Sequence, residues 1–395
     1  MSDTSVLIYS YQDDPHATTV EKAANDYGLK CSIHSWHEVP TLAAASFSIN
    51  ADREHSYWRS ARSPSVQSVE PDVVWSRRFL DRPLPEEAHK DDVDFIALQT
   101  RTFQRNWLYG SLRNARWINP PIAASAADCK MLQLSIAHQL GISLPSTLVS
   151  NDPQLIRDFY NQHANHGVIA KPLAWFLWHE GNELFIPYTS EVHKDNLREN
   201  LPMQMCPMIY QSQIRKDFEL RITILGDEII PAKLLSQTGD ERTSVDTRDS
   251  TLPQDVKVEP YTLPKNIEEK LRALVKKLDL SFAQIDMAVT PLGEHIFFEV
   301  NEAGQWLWIE ERCPDIKLLS RFISFCWGPE SLSEIDFKAI KFAKYEKHEF
   351  LDQKVKALAD TYIPQERSTE KFWPSIDLNS ASSQAEMGSS KSAVL

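Results

Sequence analysis

Phe218-Glu219-Leu220-Arg221-Ile222-Thr223-Ile224 decides how this chain is read. Alternation sends Phe218, Leu220, Ile222 and Ile224 to one face of a strand and Glu219, Arg221 and Thr223 to the other. Gly226-Asp227 turns the chain back into a second strand over 228–235, since glycine tolerates the positive φ of a tight turn. That strand carries Lys233 within a non-polar run. A carboxylate, a guanidinium and an ammonium on core strands are costly unless they meet each other or a charged ligand. A structural ion-pair cluster and a ligand site explain these residues equally well.

A second hairpin narrows the choice. Residues 285–289 pair with 296–300 across Pro291-Leu292-Gly293, so Glu299 and Asn301 share a face while Asp286 ends the partner strand. Two carboxylates and an amide oxygen suit Mg²⁺, a hard cation that keeps further positions for phosphate and water. A solvated edge with unrelated acids is the alternative, but Ile285, Phe297, Phe298 and Val300 are apolar enough to bury these strands.

Outward from these hairpins the pattern is α/β. Val6-Leu7-Ile8-Tyr9 reads as a strand, followed by a helix bearing Val20, Ala23, Ala24 and Tyr27 and closed by Gly28. A second strand is expected at 72–75, then a helical stretch up to Asn119-Pro120-Pro121, whose double proline marks a lobe boundary. Further helices are expected at 128–140, from Pro153 behind Asn151-Asp152, and at 264–278; further strands at 167–171 and 208–211. Residues 331–360 carry an amphipathic helical pattern, and the Ser/Ala-rich end is expected to be disordered.

The 395 residues are too many for one typical core and suggest two or three lobes. Only 11 are glycine, and no spacing fits GxxxxGK[ST], GxGxxG or GxSxG, which excludes P-loop, dinucleotide, protein-kinase and α/β-hydrolase sites. A net charge of −13 with no long Lys/Arg run argues against nucleic acid as a partner. Five scattered cysteines without CxxC read as reduced thiols of a cytoplasmic protein. The pairs His34/His37 and His163/His166 lack companion ligands at zinc spacing. An acidic N-terminus and the lack of a run of roughly 18 apolar residues predict neither signal peptide nor membrane span.

The order of these pieces resembles the ATP-grasp ligases and, within them, the ribosomal peptide maturases known as graspetide or microviridin-type macrocyclases. The resemblance runs from about Trp75 to Trp308. It is carried by Asn119-Pro120-Pro121, Lys130-Met131-Leu132-Gln133-Leu134, the 141–153 segment, Arg215-Lys216-Asp217-Phe218-Glu219-Leu220-Arg221, and Phe298-Glu299-Val300-Asn301-Glu302-Ala303-Gly304-Gln305-Trp306. It implies an ATP-grasp fold with an N-terminal α/β (pre-ATP-grasp) lobe at 1–120, a small central lobe at 121–207 and a C-terminal lobe at 208–328. A helical appendage at 329–376 and a disordered tail at 377–395 complete the expected division.

By resemblance, Lys130 and Lys171 reach the phosphates of ATP, with Lys233 also assigned to the nucleotide. Ser212, Gln213 and Ile214 form the adenine hinge, and Glu219 holds the ribose. Asp286, Glu299 and Asn301 hold Mg²⁺. Arg221 and Arg248 steady the γ-phosphate and the acyl phosphate; Val245-Asp246-Thr247-Arg248 has threonine where the family has tryptophan. The loop usually built of small residues reads Pro172-Leu173-Ala174-Trp175-Phe176-Leu177-Trp178, with no glycine until Gly181. The implied reaction activates Asp/Glu side chains of a ribosomal precursor peptide as acyl phosphates and closes ester or amide macrocycles, with a leader segment recruiting the peptide. A homodimer is the family expectation. Two other readings stay open: ligation of a free amine or amino acid to a small-molecule or protein carboxylate, and a non-catalytic nucleotide-binding module.

Overall fold

The computed structural model describes residues 4–11, 14–39, 42–60, 65–77, 88–174, 178–180, 183–185, 189–235, 256–328 and 340–345, with the backbone path alone for 178–180 and 183–185. Arg248, the core of the aromatic 172–178 loop, the tail and all of the expected appendage but 340–345 lie outside these residues. The described residues form two compact units, one drawn from Met1–Trp36, Glu70–Leu80 and Asn114–Leu358, the other from His37–Val69 and Asp81–Arg113.

The first unit begins with a parallel sheet in the order Lys30–His34, Ser5–Tyr9, Val73–Ser76, Arg116–Ile118. The helix Pro15–Asp26 covers it. Asp14 caps the helix by accepting from the His16 N–H, Pro15 sits in the first turn, and Gly28 at φ 74° ends it. Its buried Val20, Ala23 and Ala24 share a core with Val6, Ile8 and Trp75, and with Phe322 of the helix Leu318–Trp327. Sequence reading did not foresee the strands Lys30–His34 and Arg116–Ile118, which mix charged and polar residues among their few apolar ones.

Two antiparallel sheets follow. One orders Ser190–Glu191, Val168–Lys171, Met208–Ser212 and Thr147–Ser150, backed by the helix Pro153–His163, whose N-cap Asp152 accepts from the N–H groups of Gln154 and Leu155. The other orders Lys257–Pro260, Glu228–Leu235, Phe218–Leu225, Phe282–Val289 and His295–Asn301. Leu220, Ile222, Ile285 and Phe297 on one face of it pack with Leu271, Leu274 and Val275 of the helix Lys265–Lys277. The hairpin turn at Gly226 has φ 57°, as its sequence requires. Asp286 lies in the middle of its strand rather than at the end.

Residues 340–345 contribute a short 3₁₀ turn, with Ile340, Phe342 and Tyr345 buried in the same core as Phe322. The second unit pairs Ala43–Ile49, Glu54–Ser60 and Gln67–Ser68 as an antiparallel sheet and includes the helix Val93–Ser111. Trp58 and Trp107 anchor it with ring centroids 6.4 Å apart, and Arg113 pairs with Glu54. Four of the seven residues of the 43–49 strand are exposed, Phe47 and Ile49 among them, so no hydrophobic alternation announced it.

Candidate active site

A cleft of about 330 Å³, in the size range of small-molecule sites, is lined by Lys171, Ser212, Gln213, Ile214, Lys216, Glu219, Arg221, Asp286, Phe298 and Glu299 together with Gln305, Trp308 and Arg312. Its floor is the polar face of the five-stranded sheet. Register places Arg221 opposite Asp286, and Asp286 opposite Glu299. Opposed residues on antiparallel strands face the same way, so these three charged groups converge without a loop to bring them together.

A bulge makes this possible. The pairing slips between Asp286 and Met287, so that Met287 opposes Phe297 while Asp286 opposes Glu299, leaving Phe298 as the extra residue. Strict alternation would put Glu299 on the same face as Phe297, which is wholly buried in the helix-covered core. The bulge reverses the parity, turning Glu299 and Asn301 toward the cleft and returning Val300 to the core.

The polar groups form one connected set. Arg221 Nη1 lies 2.6 and 2.7 Å from the two oxygens of Asp286, and Nη2 donates to the Gln305 carbonyl at 3.1 Å. Asn301 Nδ2 donates to Asp286 Oδ2 at 3.2 Å and to Glu299 Oε1 at 3.3 Å. Lys130, in the first turn of the helix Lys130–Gln139, reaches Glu299 Oε2 at 2.9 Å. That helix is fixed to the strand by the buried Gln133, whose Nε2 donates to the Val300 carbonyl and whose Oε1 accepts from the Val300 N–H, both at 2.8 Å. Lys216 pairs with Glu219, both side chains largely buried.

The donor set fits a divalent cation. Asp286 and Glu299 supply hard carboxylate oxygens, and a half turn of the Asn301 amide would present Oδ1 beside them. Lys130 and the Arg221 guanidinium now balance those carboxylates, so positive charge is already what this corner attracts. Lys171 and Ser212, at the ends of paired strands of the antiparallel four-stranded sheet, border the cleft, as do Gln213 and Ile214 just beyond Ser212. The Ser212 N–H donates to Ser146 and the Gln213 N–H to Gly167, each at 3.0 Å, so those two amides are engaged within the protein.

Lys233 departs from the expectation. Register pairs it with Leu220, on the face opposite Glu219 and Arg221, and its Nζ sits 4.1 Å from the centre of the Phe218 ring. It does not line the cleft. Its apolar neighbours in sequence reflect the pleat, and the ammonium is accommodated by the ring and by Glu259 on the next strand. Sequence reasoning also missed participants. Lys216 was assigned no role, although its i, i+3 spacing to Glu219 was a signal. Gln305, Trp308 and Arg312 reach the cleft through the turn after the last strand and the helix Leu307–Arg312, and Arg312 stacks 5.4 Å from the Trp308 ring.

Apart from the Asp286, Glu299 and Asn301 set, which has only two carboxylates, no group of three or more His, Cys, Asp or Glu among the described residues could hold a metal ion. No described helix is long and apolar enough to cross a membrane.

No family model and no curated protein matches the chain. Solved structures do. The macrocyclase MdnC bound with the precursor peptide MdnA from Microcystis aeruginosa is 28% identical, aligning over 82% of this chain and 99% of that one with a TM-score of 0.72. The Chryseobacterium gregarium RiPP-associated ATP-grasp ligase, in complex with ADP and a leader and core peptide, is 24% identical over 82% and 96%, with a TM-score of 0.75. Macrocyclase MdnB of Microcystis aeruginosa is 24% identical over 82% and 99%, at 0.67. The chain carries the ATP-grasp fold in the form found in the ligases that mature ribosomal peptides.

Proposed function

We propose that this protein is an ATP-dependent carboxylate ligase that activates Asp or Glu side chains of a ribosomally made precursor peptide and closes them onto side-chain hydroxyls or amines as macrocycles. The observation that carries this reading is the convergence of Asp286, Glu299 and Asn301 with Arg221 and Lys130 across a bulged hairpin. The similarity to a macrocyclase bound with its precursor peptide supplies the substrate class.

Phosphoryl transfer is mainly a positioning and electrostatic task, so the protein's part is to place cations where negative charge gathers. Asp286, Glu299 and Asn301 would hold Mg²⁺, which when bound would neutralise charge on the transferring phosphoryl group. Arg221, seated on Asp286, and Lys130, seated on Glu299, are kept within reach of that group by the same carboxylates. Lys171, at a strand end, and Lys216, just before the strand Phe218–Leu225, bring further positive charge to the cleft. Glu219 serves the ribose, and Ile214 and the carbonyl groups of 212–214 take the adenine, since the Ser212 and Gln213 amides are engaged. Arg221, together with Arg248, would steady the activated carboxylate until a hydroxyl or amine displaces phosphate. No side chain of the protein needs to be a nucleophile.

We further infer that lobes 121–207 and 208–328 hold the nucleotide between them, that a leader segment recruits the peptide, and that the protein works as a homodimer. Its five cysteines are all free thiols, which fits a reducing cytoplasm. The test is ADP release with a candidate precursor carrying Asp or Glu together with Thr, Ser or Lys. Release that depends on the peptide and falls sharply in Glu299→Gln supports the proposal. Release driven instead by free amino acids, with the peptide inert, replaces it with intermolecular ligation.

A further inference from the structure

Behind the cleft, two side chains hold the turn that follows the last strand, one from the end of a strand of the N-terminal sheet and one from the first turn of the helix Pro15–Asp26 that covers it. Arg77 leaves the end of the strand Val73–Ser76 and is 4% exposed. Its Nη1 donates to the Ala303 carbonyl at 2.8 Å and the Gly304 carbonyl at 3.4 Å. His16, 1% exposed, accepts at Nε2 from the N–H groups of Trp306 at 2.9 Å and Leu307 at 3.2 Å, with its ring edge-on to Trp306. An imidazole that accepts twice at Nε2 carries its proton on Nδ1, here 3.9 Å from Asp14 Oδ1.

Asp14 joins the two. Its Oδ2 lies 2.8 Å from Arg77 Nε and accepts from the Ser10 hydroxyl at 2.8 Å, while Oδ1 accepts from the His16 N–H at 2.9 Å. The front of the same turn is the cleft wall. The Gln305 carbonyl accepts from Arg221, and Gly304 is so close that an added Cβ would stand 2.8 Å from Arg221 Nη2. Four backbone groups of 303–307 are therefore held from behind by two buried side chains, and the turn holds Arg221 from in front.

We propose that Asp14, His16 and Arg77 are positioning residues for the reaction: they fix the 303–307 turn so that Gln305 orients the Arg221 guanidinium on Asp286. This rests on the ligase reading given above. A fully buried Arg–carboxylate pair is seldom a net source of stability, because desolvation offsets its attraction. What this one supplies is direction: a planar guanidinium seated on Asp14 through Nε aims Nη1 at two carbonyl oxygens more than 200 residues away in sequence. An ion pair between these residues that served stability alone would need no donor aimed at the cleft wall.

The test uses the full chain and two readouts, amide hydrogen exchange and steady-state kinetics. Arg77→Met keeps the volume and removes the donors; Arg77→Lys keeps the charge but not the fork. In Arg77→Met we expect exchange at residues 303–307 to rise about tenfold while the 218–225 strand is unchanged. We also expect kcat to fall about tenfold with KM for ATP within about threefold, and Arg77→Lys to recover part of the loss. If Arg77→Met does not fold, His16→Gln and His16→Phe decide the matter, because a glutamine oxygen can still accept from the turn and phenylalanine cannot. His16→Gln should keep both readouts near wild type and His16→Phe should lose both. Exchange that rises uniformly through the unit, or an unchanged kcat, overturns the proposal and leaves a structural ion pair. If the wild-type protein releases no ADP and dehydrates no peptide, the ligase reading fails. Exchange at 303–307 still tells whether the tether exists.

Discussion

Gly304→Ala is the smallest change that probes the architecture of the cleft. The added methyl would stand 2.6 Å from Gln284 Cβ, 2.7 Å from Gln284 Cγ and 2.8 Å from Arg221 Nη2. Gln284 is wholly buried and bonded to Thr223, so its Cβ and Cγ cannot withdraw without moving the strand. The guanidinium is the part that can give. Shifting it loosens the bond to the Gln305 carbonyl and disturbs the seat on Asp286. Overpacking a core costs about 1–3 kcal/mol, and a hydrogen bond to a charged group contributes about 1.5–3 kcal/mol. A loss of about 3 kcal/mol is therefore expected, read as a lower urea midpoint with unchanged slope. Because Arg221 is the displaced group, ADP release should fall at least as steeply as the folded fraction, and further under conditions where the variant stays folded. Stability within about 0.5 kcal/mol of wild type, the range of surface substitutions, with unchanged turnover would refute the close packing of Gly304, Gln284 and Arg221.

Other perturbations separate the parts. Glu299→Gln removes a carboxylate from the cation corner and the partner of Lys130, and should lower ATP turnover by more than the roughly 10–100-fold lost when a group behind a metal ligand is altered. Titration of Mg²⁺ should show a weakened requirement curve rather than a lost fold. Lys233→Met, on the opposite face, should leave KM for ATP unchanged, whereas Lys216→Met should raise it. Asn119→Ala should destabilise by about 3 kcal/mol, since the buried amide accepts from the Ser281 and Phe282 N–H groups and donates to the Phe282 and Glu302 carbonyls. Burial lowers the pKa of His34 to about 3 from 6.5. Below pH 6.5 the unfolded chain binds a proton that the folded one refuses, so stability falls with falling pH by about 1.4 kcal/mol per unit from this residue. Urea melts between pH 7 and pH 5 should show that slope flattened in His34→Gln.

The two central hairpins were legible because one face of each strand is a run of large apolar residues, and the polar positions between them had nowhere to go but a shared cleft. The helix start at Pro153 was legible from capping chemistry that acts within three residues, and the first helix from its apolar face and Gly28. What escaped the sequence depends on partners chosen by the fold. The parity switch at Phe298 leaves no mark in the hydrophobic pattern, so Glu299 came to the right face by a bulge that alternation alone does not require. Its place within a non-polar run made Lys233 look like a companion of Arg221, and the register with Leu220 turns it away. Arg77 and His16 sit in ordinary local contexts; their targets at 303–307 are more than 200 residues further along the chain. The 43–49 strand, largely open to solvent, carries no core-facing stripe to read.

The most direct measurement of the central claim is the intact mass of a candidate precursor peptide after incubation with this protein, ATP and Mg²⁺. The peptide would be encoded beside the gene and contain Asp or Glu with Thr, Ser or Lys. The account predicts loss of whole water molecules, one for each ring, that requires ATP and disappears in Glu299→Gln. An unchanged peptide mass while ADP accumulates in the presence of free amines would contradict it.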